Sequence, residues 1–194
     1  PRRTSVLHGS VLRRHPWIFS GAVANIKGNP EAGATIDIYS NQGAWLARAA
    51  YSPQSQIVGR IWTFEQTEEV AAAFFPARLK QALAARQRLA AQNVTAYRVV
   101  NAESDGLPGV IIDRYGDFFV CQFLTAGADA WKAVIVAELA ALAPHAGIYE
   151  RSDADVREKE GLPLVSGVLS GETPPDVLEI QEGGVRFLVD IQRG

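Results

Sequence analysis

Apolar residues in the first third of the chain fall into short segments, 22–26, 34–40, 44–51 and 56–64, separated by Gly, Asn and Pro, a pattern that predicts strands. Asn41-Gln42-Gly43 supplies a tight connection between two of them. Ile36, Ile38, Trp45 or Leu46, Ile57, Ile61 and Trp62 are enough large groups to fill a closed or nearly closed barrel of about five strands. Residues 11–14 suit one helical turn before Pro16, which restricts His15 to extended geometry. Around Pro76 the period changes. Leu79, Ala82, Leu83, Leu89 and Ala90 recur at helical spacing and predict a helix over 75–92, with arginines on its other faces.

Beyond that helix the pattern predicts a strand at 97–101. A type II turn follows at Leu107-Pro108-Gly109-Val110, where Pro sets φ and Gly takes a positive φ. A hairpin then runs from Val110-Ile111-Ile112 through a loop at 113–117 into the apolar run 118–124. The next helix is expected over 129–142, capped by Asp129 and lined by Trp131, Val134, Ile135, Leu139 and Leu142. Strands at 146–150 and 164–169 flank a highly charged stretch, 151–161. Glu182-Gly183-Gly184-Val185 marks a last hairpin, 178–191, with an apolar face that nothing in the chain covers, so the chain reads as cut from a longer protein.

The chain has 194 residues, of which 47% are hydrophobic and 21% charged, room for one large unit or two small ones. No apolar run approaches the length of a membrane span, and no secretory signal is visible, so a cytoplasmic location is expected. The single cysteine, Cys121, excludes an internal disulfide and a cysteine-based zinc site. A net charge of −2 conceals an asymmetry. Residues 1–63 hold seven Lys or Arg against two acids, a net of +5, leaving twelve basic and nineteen acidic residues, −7, for the remainder. The first part therefore suits a polyanion such as nucleic acid.

Arg13-Arg14-His15-Pro16-Trp17-Ile18-Phe19 is the clearest binding element: two guanidiniums for phosphate, and an imidazole and aromatics for bases, on a turn stiffened by Pro16. Arg13, Arg14, His15, Trp17, Lys27, Arg48 and Arg60 are the candidate RNA-binding residues. Trp17 and Phe19 share one face of an extended strand, and at least one of them is expected in the barrel core. Glu103, Asp105 and Asp113 admit two readings, a catalytic carboxylate cluster of a small hydrolase or turn residues that hold arginines; the second is the more common use of such acids. Cys121, between Phe119, Val120 and Phe123, is expected to be an inert buried thiol. His8, His15 and His145 lack metal-ligand spacing, so no metal site is expected, and no Gly-x-Gly-x-x-Gly or P-loop element is present.

Three blocks carry a family resemblance: Arg14-His15-Pro16-Trp17-Ile18-Phe19-Ser20-Gly21, Glu103-Ser104-Asp105-Gly106-Leu107-Pro108-Gly109-Val110-Ile111-Ile112-Asp113-Arg114-Tyr115, and Glu150-Arg151-Ser152-Asp153 continuing through Val156-Arg157-Glu158-Lys159-Glu160-Gly161-Leu162. With them the chain resembles the ribosomal RNA large subunit methyltransferase I family. The resemblance implies a parent enzyme that methylates C5 of a cytosine in 23S rRNA with S-adenosylmethionine. It implies an α+β chain: a small β-barrel-like PUA domain over 1–72, a connecting helix over 73–94 and a strand-strand-helix-strand-strand domain over 95–177. A hairpin over 178–194 would then open a Rossmann-like methyltransferase domain absent from this chain. The cofactor and catalytic residues, including a nucleophilic cysteine, would lie beyond Gly194, and Cys121 is not at a matching position. On this reading the chain alone is inactive, binds no S-adenosylmethionine and has 23S rRNA as its partner, with no membrane or metal. Dimerisation stays open, and the alternative is a stand-alone RNA-binding module.

Overall fold

Isoleucines at alternate strand positions, Ile36 and Ile38 on one strand with Ile18 and Ile61 on two others, point to one side of a sheet and bury there with Val11, Ala47 and Ala49. The computed structural model describes residues 3–6, 11 and 13–193. The first sheet contains β1 (Arg3–Val6), β2 (Trp17–Phe19), β3 (Val23–Lys27), β4 (Thr35–Ser40), β5 (Trp45–Tyr51) and β6 (Ile57–Thr63), in the order β2-β6-β5-β4-β1-β3. It has six strands where about five are predicted, because β1 comes from a segment with no strand pattern; it lies parallel to β4 and antiparallel to β3. No ladder joins β2 to β3 among the described residues.

β6 is buried on both faces. Ile61 enters the first core, whereas Trp62 points the other way and joins a second core with Phe74, Phe75, Leu79 and Val100. Trp62 therefore does not fill the barrel. Its ring stands edge-on to Phe74 and Phe75, with centroids 6.1 and 5.7 Å away. Those two phenylalanines open α1 (Phe74–Ala85), which is followed by α2 (Gln87–Ala91) in place of one helix over 75–92; the break falls at Arg86, whose φ of −101° leaves the helical range.

The second sheet has β7 (Ala96–Asn101), β8 (Val110–Tyr115), β9 (Phe118–Phe123), β10 (Gly147–Ser152) and β11 (Val165–Gly171), in the order β11-β10-β9-β8-β7. β9 and β10 are parallel, and their crossover is made by α3 (Ala126–Ala130) and α4 (Lys132–Leu142). Thr125 caps α3, its hydroxyl accepting the Ala128 N–H at 3.3 Å, so the helix starts earlier than an Asp129 cap would allow. Gly127 lets α3 approach β5: a Cβ there would collide with Ala50. A short helix, α5 (Val156–Lys159), lies between β10 and β11. The last hairpin, β12 (Leu178–Glu182) and β13 (Val185–Val189), turns through Gly183 and Gly184 at φ 57° and 80°. Thr95 ties it to the second sheet by two hydrogen bonds to the Gln181 backbone, at 2.9 and 2.7 Å. Phe187 and Leu188 stay exposed, Leu188 at 73%. Among the described residues no helix is long and apolar enough to cross a membrane.

Candidate nucleic-acid interface

The turn before β2 closes with the Arg14 N–H donating to Val11 O at 2.9 Å, and Arg14 itself takes φ 58°, a left-handed backbone that costs a non-glycine residue about 1–2 kcal/mol. Pro16 then carries the chain into β2, its carbonyl accepting the Ile61 N–H at 2.8 Å. Pairing with β6 fixes which face of β2 is inside. Ile18 is buried against Gly59, so Trp17 and Phe19 take the opposite face: Trp17 is half-buried and Phe19 is 46% exposed. The expectation that one of these aromatics fills the core is therefore corrected, since the residue between them does so.

Arg13, Arg14 and His15 are exposed on the turn that leads into β2, and half-buried Trp17 follows them on that edge strand. Arg14 lies 3.5 Å from Glu65, an exposed pair of little energetic weight, with its guanidinium 5.6 Å from the Phe64 ring centroid. The His15 Nδ1 accepts the Trp17 backbone N–H at 3.1 Å. The Trp17 indole Nε1 donates to Glu103 Oε1 at 2.6 Å, across 86 positions of sequence. Glu103 is the member of this group that sequence reasoning missed. A half-buried indole asks for an acceptor, yet nothing local says which carboxylate supplies it.

The other candidates lie elsewhere. Lys27, at the far strand of the sheet, borders a cleft of about 260 Å³ lined also by Thr4, Asn25, Tyr39, Ser40 and Asn41. Arg48 is drawn into the protein by Asp37, at 3.1 Å, by the Glu68 carbonyl and by the Trp45 ring. Arg60 is 6% exposed and pairs with Glu160 at 2.7 Å, itself 2% exposed. Its charge joins the two sheets and does not face solvent. The other Glu160 oxygen accepts the Ala126 N–H at 3.2 Å. Burial works to raise the Glu160 pKa, but Arg60 and hydrogen bonds from Ser52, Ser55 and Arg60 outweigh it and leave the carboxyl below its ordinary 4.5. Beside this pair, Arg157 is fully buried, donating to the Pro163 and Phe123 carbonyls and meeting Asp129 at 3.1 Å.

The acidic turn resolves into separate partnerships. Asp105 holds Arg86 bidentately at 2.6 and 2.7 Å, Asp113 holds Arg98 at 2.8 and 3.0 Å, and Glu103 holds Trp17. A hydrolase acid needs a free carboxyl with a raised pKa, and these three are all committed to donors. Cys121 is buried, and burial, aided by Glu150 and Asp113, pushes its thiol far up, so it is no nucleophile. Among the described residues no group of His, Cys, Asp and Glu could hold a metal ion.

A family model described as a PUA-like domain matches residues 8–64, which takes in the exposed edge. Two solved structures, one assigned as a SAM-dependent methyltransferase from Streptococcus mutans and one a methyltransferase complexed with SAH, superpose on 98% of this chain and 48% of their own, with TM-scores of 0.81 and 0.82 at 24% and 23% identity. The fold over this length is therefore one that such methyltransferases contain. This corrects the expectation of an α+β chain from which methyltransferase architecture is absent. The physical reason lies in β9-α3-α4-β10: its strands and helix are predicted, but their parallel pairing inside a mixed five-stranded sheet depends on where the helices return the chain. In sequence, the ribosomal RNA large subunit methyltransferase I of Escherichia coli O139:H28 is 52% identical over 186 residues, 95% of this chain and 47% of that protein. The resemblance carried by the three motif blocks thus extends along almost the whole chain, and the chain spans about half the length of the curated relatives it matches.

Proposed function

We propose that this chain holds RNA for a SAM-dependent ribosomal RNA methyltransferase that acts in the cytoplasm on C5 of a cytosine in 23S rRNA. Residues 1–72 form the RNA-binding unit, 73–94 the connector and 95–177 the unit packed against it. The observation that carries this reading is the exposed edge formed by Arg13, Arg14, His15 and Trp17 inside the PUA-like match. Its guanidiniums engage phosphate and its rings engage bases, while Arg48 and Arg60 act within the protein.

The apolar groove between α4 and β11, about 450 Å³ and lined by Lys132, Ala133, Val136 and Leu169, has neither a glycine-rich turn to cradle the methionine end of S-adenosylmethionine nor a carboxylate for the ribose hydroxyls. No catalytic step is therefore assigned to side chains of this chain.

Titration of a 23S rRNA fragment against Arg13→Ala/Arg14→Ala tests the reading. Removing one arginine–phosphate pair is expected to cost about 1.5–3 kcal/mol and to lower the slope of log K against log salt by roughly one. Unchanged affinity and slope would place the RNA elsewhere. For the finer assignment, labelled methyl transfer by the full-length gene product followed by nucleoside analysis should yield 5-methylcytidine; any other labelled nucleoside refutes it.

A further inference from the structure

The exposed edge is built more specifically than phosphate binding requires. Phe19, 46% exposed on an edge strand, leaves a large apolar side chain partly in water a few residues after the exposed Arg13 and Arg14. Its neighbours form a framework of rings: Trp17 stands edge-on to both His15 and Phe19, at centroid distances of 5.8 and 6.3 Å and an angle of 78° in each case. His15 and Phe19 are inclined to each other by only 38°, with centroids 6.4 Å apart. The indole that supports them is itself held by Glu103, reaching over from the second sheet's unit, and the imidazole is held by the Trp17 backbone N–H. Rings fixed before a ligand arrives lose little entropy when it does.

From this arrangement we infer that the site takes unpaired, single-stranded RNA, one base of which stacks on the Phe19 and His15 rings, and that Glu103 is a positioning residue for the Trp17 indole behind them. The inference rests on the RNA-binding reading and narrows its substrate class. Three observations separate a single strand from a duplex. In A-form duplexes the base faces are stacked within the helix and the major groove is too narrow for side chains, so exposed aromatic rings find nothing to stack on. Among the described residues the edge presents a short turn and a three-residue strand followed by a single 3-10 turn, Ser20–Ala22, with no α-helix to lie along a groove. And Arg13 and Arg14, exposed on the turn that precedes the rings in the chain, supply positive charge for the phosphates of such a strand, whereas the Glu103 carboxylate at the Trp17 ring is engaged by the indole N–H.

The test is fluorescence anisotropy of the full chain with a labelled oligoribonucleotide of about 12 nucleotides, single-stranded or annealed to its complement, across a salt series. Single-stranded RNA should bind more tightly than duplex. Phe19→Ala and Phe19→Leu should each weaken the single strand roughly 5- to 100-fold, leaving the salt slope and duplex binding unchanged, because leucine keeps apolar bulk but offers no π face. Phe19 is exposed, so neither change threatens folding. Glu103→Ala should weaken single-strand binding, and Glu103→Gln, which keeps an oxygen to accept the indole N–H, should restore it. Equal affinity for duplex and single strand, or no loss in the Phe19 variants, would overturn the inference while leaving salt-dependent RNA binding through Arg13 and Arg14 intact. Absence of RNA binding by the unsubstituted chain would overturn both.

Discussion

Arg14 stands where it does at a cost to its backbone. At φ 58° an arginine is strained and a glycine is not, so Arg14→Gly should leave thermal stability unchanged or raise it by up to about 1 kcal/mol while weakening RNA binding. Calorimetry and the RNA titration together check this; a stability loss would show that the Arg14 side chain matters to the fold. Glu160 behaves in the opposite sense, as a residue on which the fold depends. Its folded pKa is depressed, so its stabilisation is fully present above the ordinary carboxyl value of 4.5 and is lost as pH falls through the folded value. The stability gap between the natural chain and Glu160→Gln should therefore be constant above pH 4.5 and narrow on acidification, read by melting temperature against pH. Glu160→Ala strands the Arg60 charge and should cost about 3–5 kcal/mol at neutral pH.

At the scale of elements, the junction of α3 with β5 depends on a missing side chain. Gly127→Ala should wedge the helix away from Ala50 and destabilise by about 1–3 kcal/mol, and Ala50→Gly in the same chain should recover much of it; urea melts of the two singles and the double give the coupling. Absence of coupling would mean that the helix simply shifts. Elements made by local chemistry were legible in the chain itself. The turn at Leu107-Pro108-Gly109-Val110 forms with Gly109 at φ 75° and the Val110 N–H bonded to Leu107 O at 3.0 Å, and Gly183-Gly184 turns the last hairpin. Elements defined by competition between neighbours were not. Thr125 and Asp129 are both acceptable caps, and Asp129 is drawn instead to Arg157 and Lys132. Strand alternation likewise tells that Trp17 and Phe19 share a face, but only the pairing of β2 with β6 decides that the face is the outer one.

Across the whole molecule, the two sheets are joined by the second core, which takes in Ala50 and Trp62 of the first sheet, and by charges buried within the junction. Trp62 belongs to the first sheet by its backbone and to the second core by its side chain, and Arg60 beside it reaches Glu160 one hundred residues away. Such sharing predicts one cooperative unfolding transition. Far-UV circular dichroism and tryptophan fluorescence should give coincident urea curves, and Trp62→Ala should lower stability by about 3–5 kcal/mol. Two separated transitions would show that the sheets fold independently.

The sequence by itself determined the family resemblance, the basic character of the first part, most strands and the exposed turn at Arg13 and Arg14, because each is written in local composition or in spacing that neighbouring residues enforce. Only the tertiary structure decided which basic residues stay exposed. A guanidinium is satisfied by whatever carboxylate the fold brings to it, so Arg60 and Arg48 are engaged inside the protein, and Glu103 arrives from a distant turn to hold Trp17. The parallel crossover between β9 and β10 was decided at that level too, because strand direction depends on where a helix returns the chain and not on the pattern within either strand.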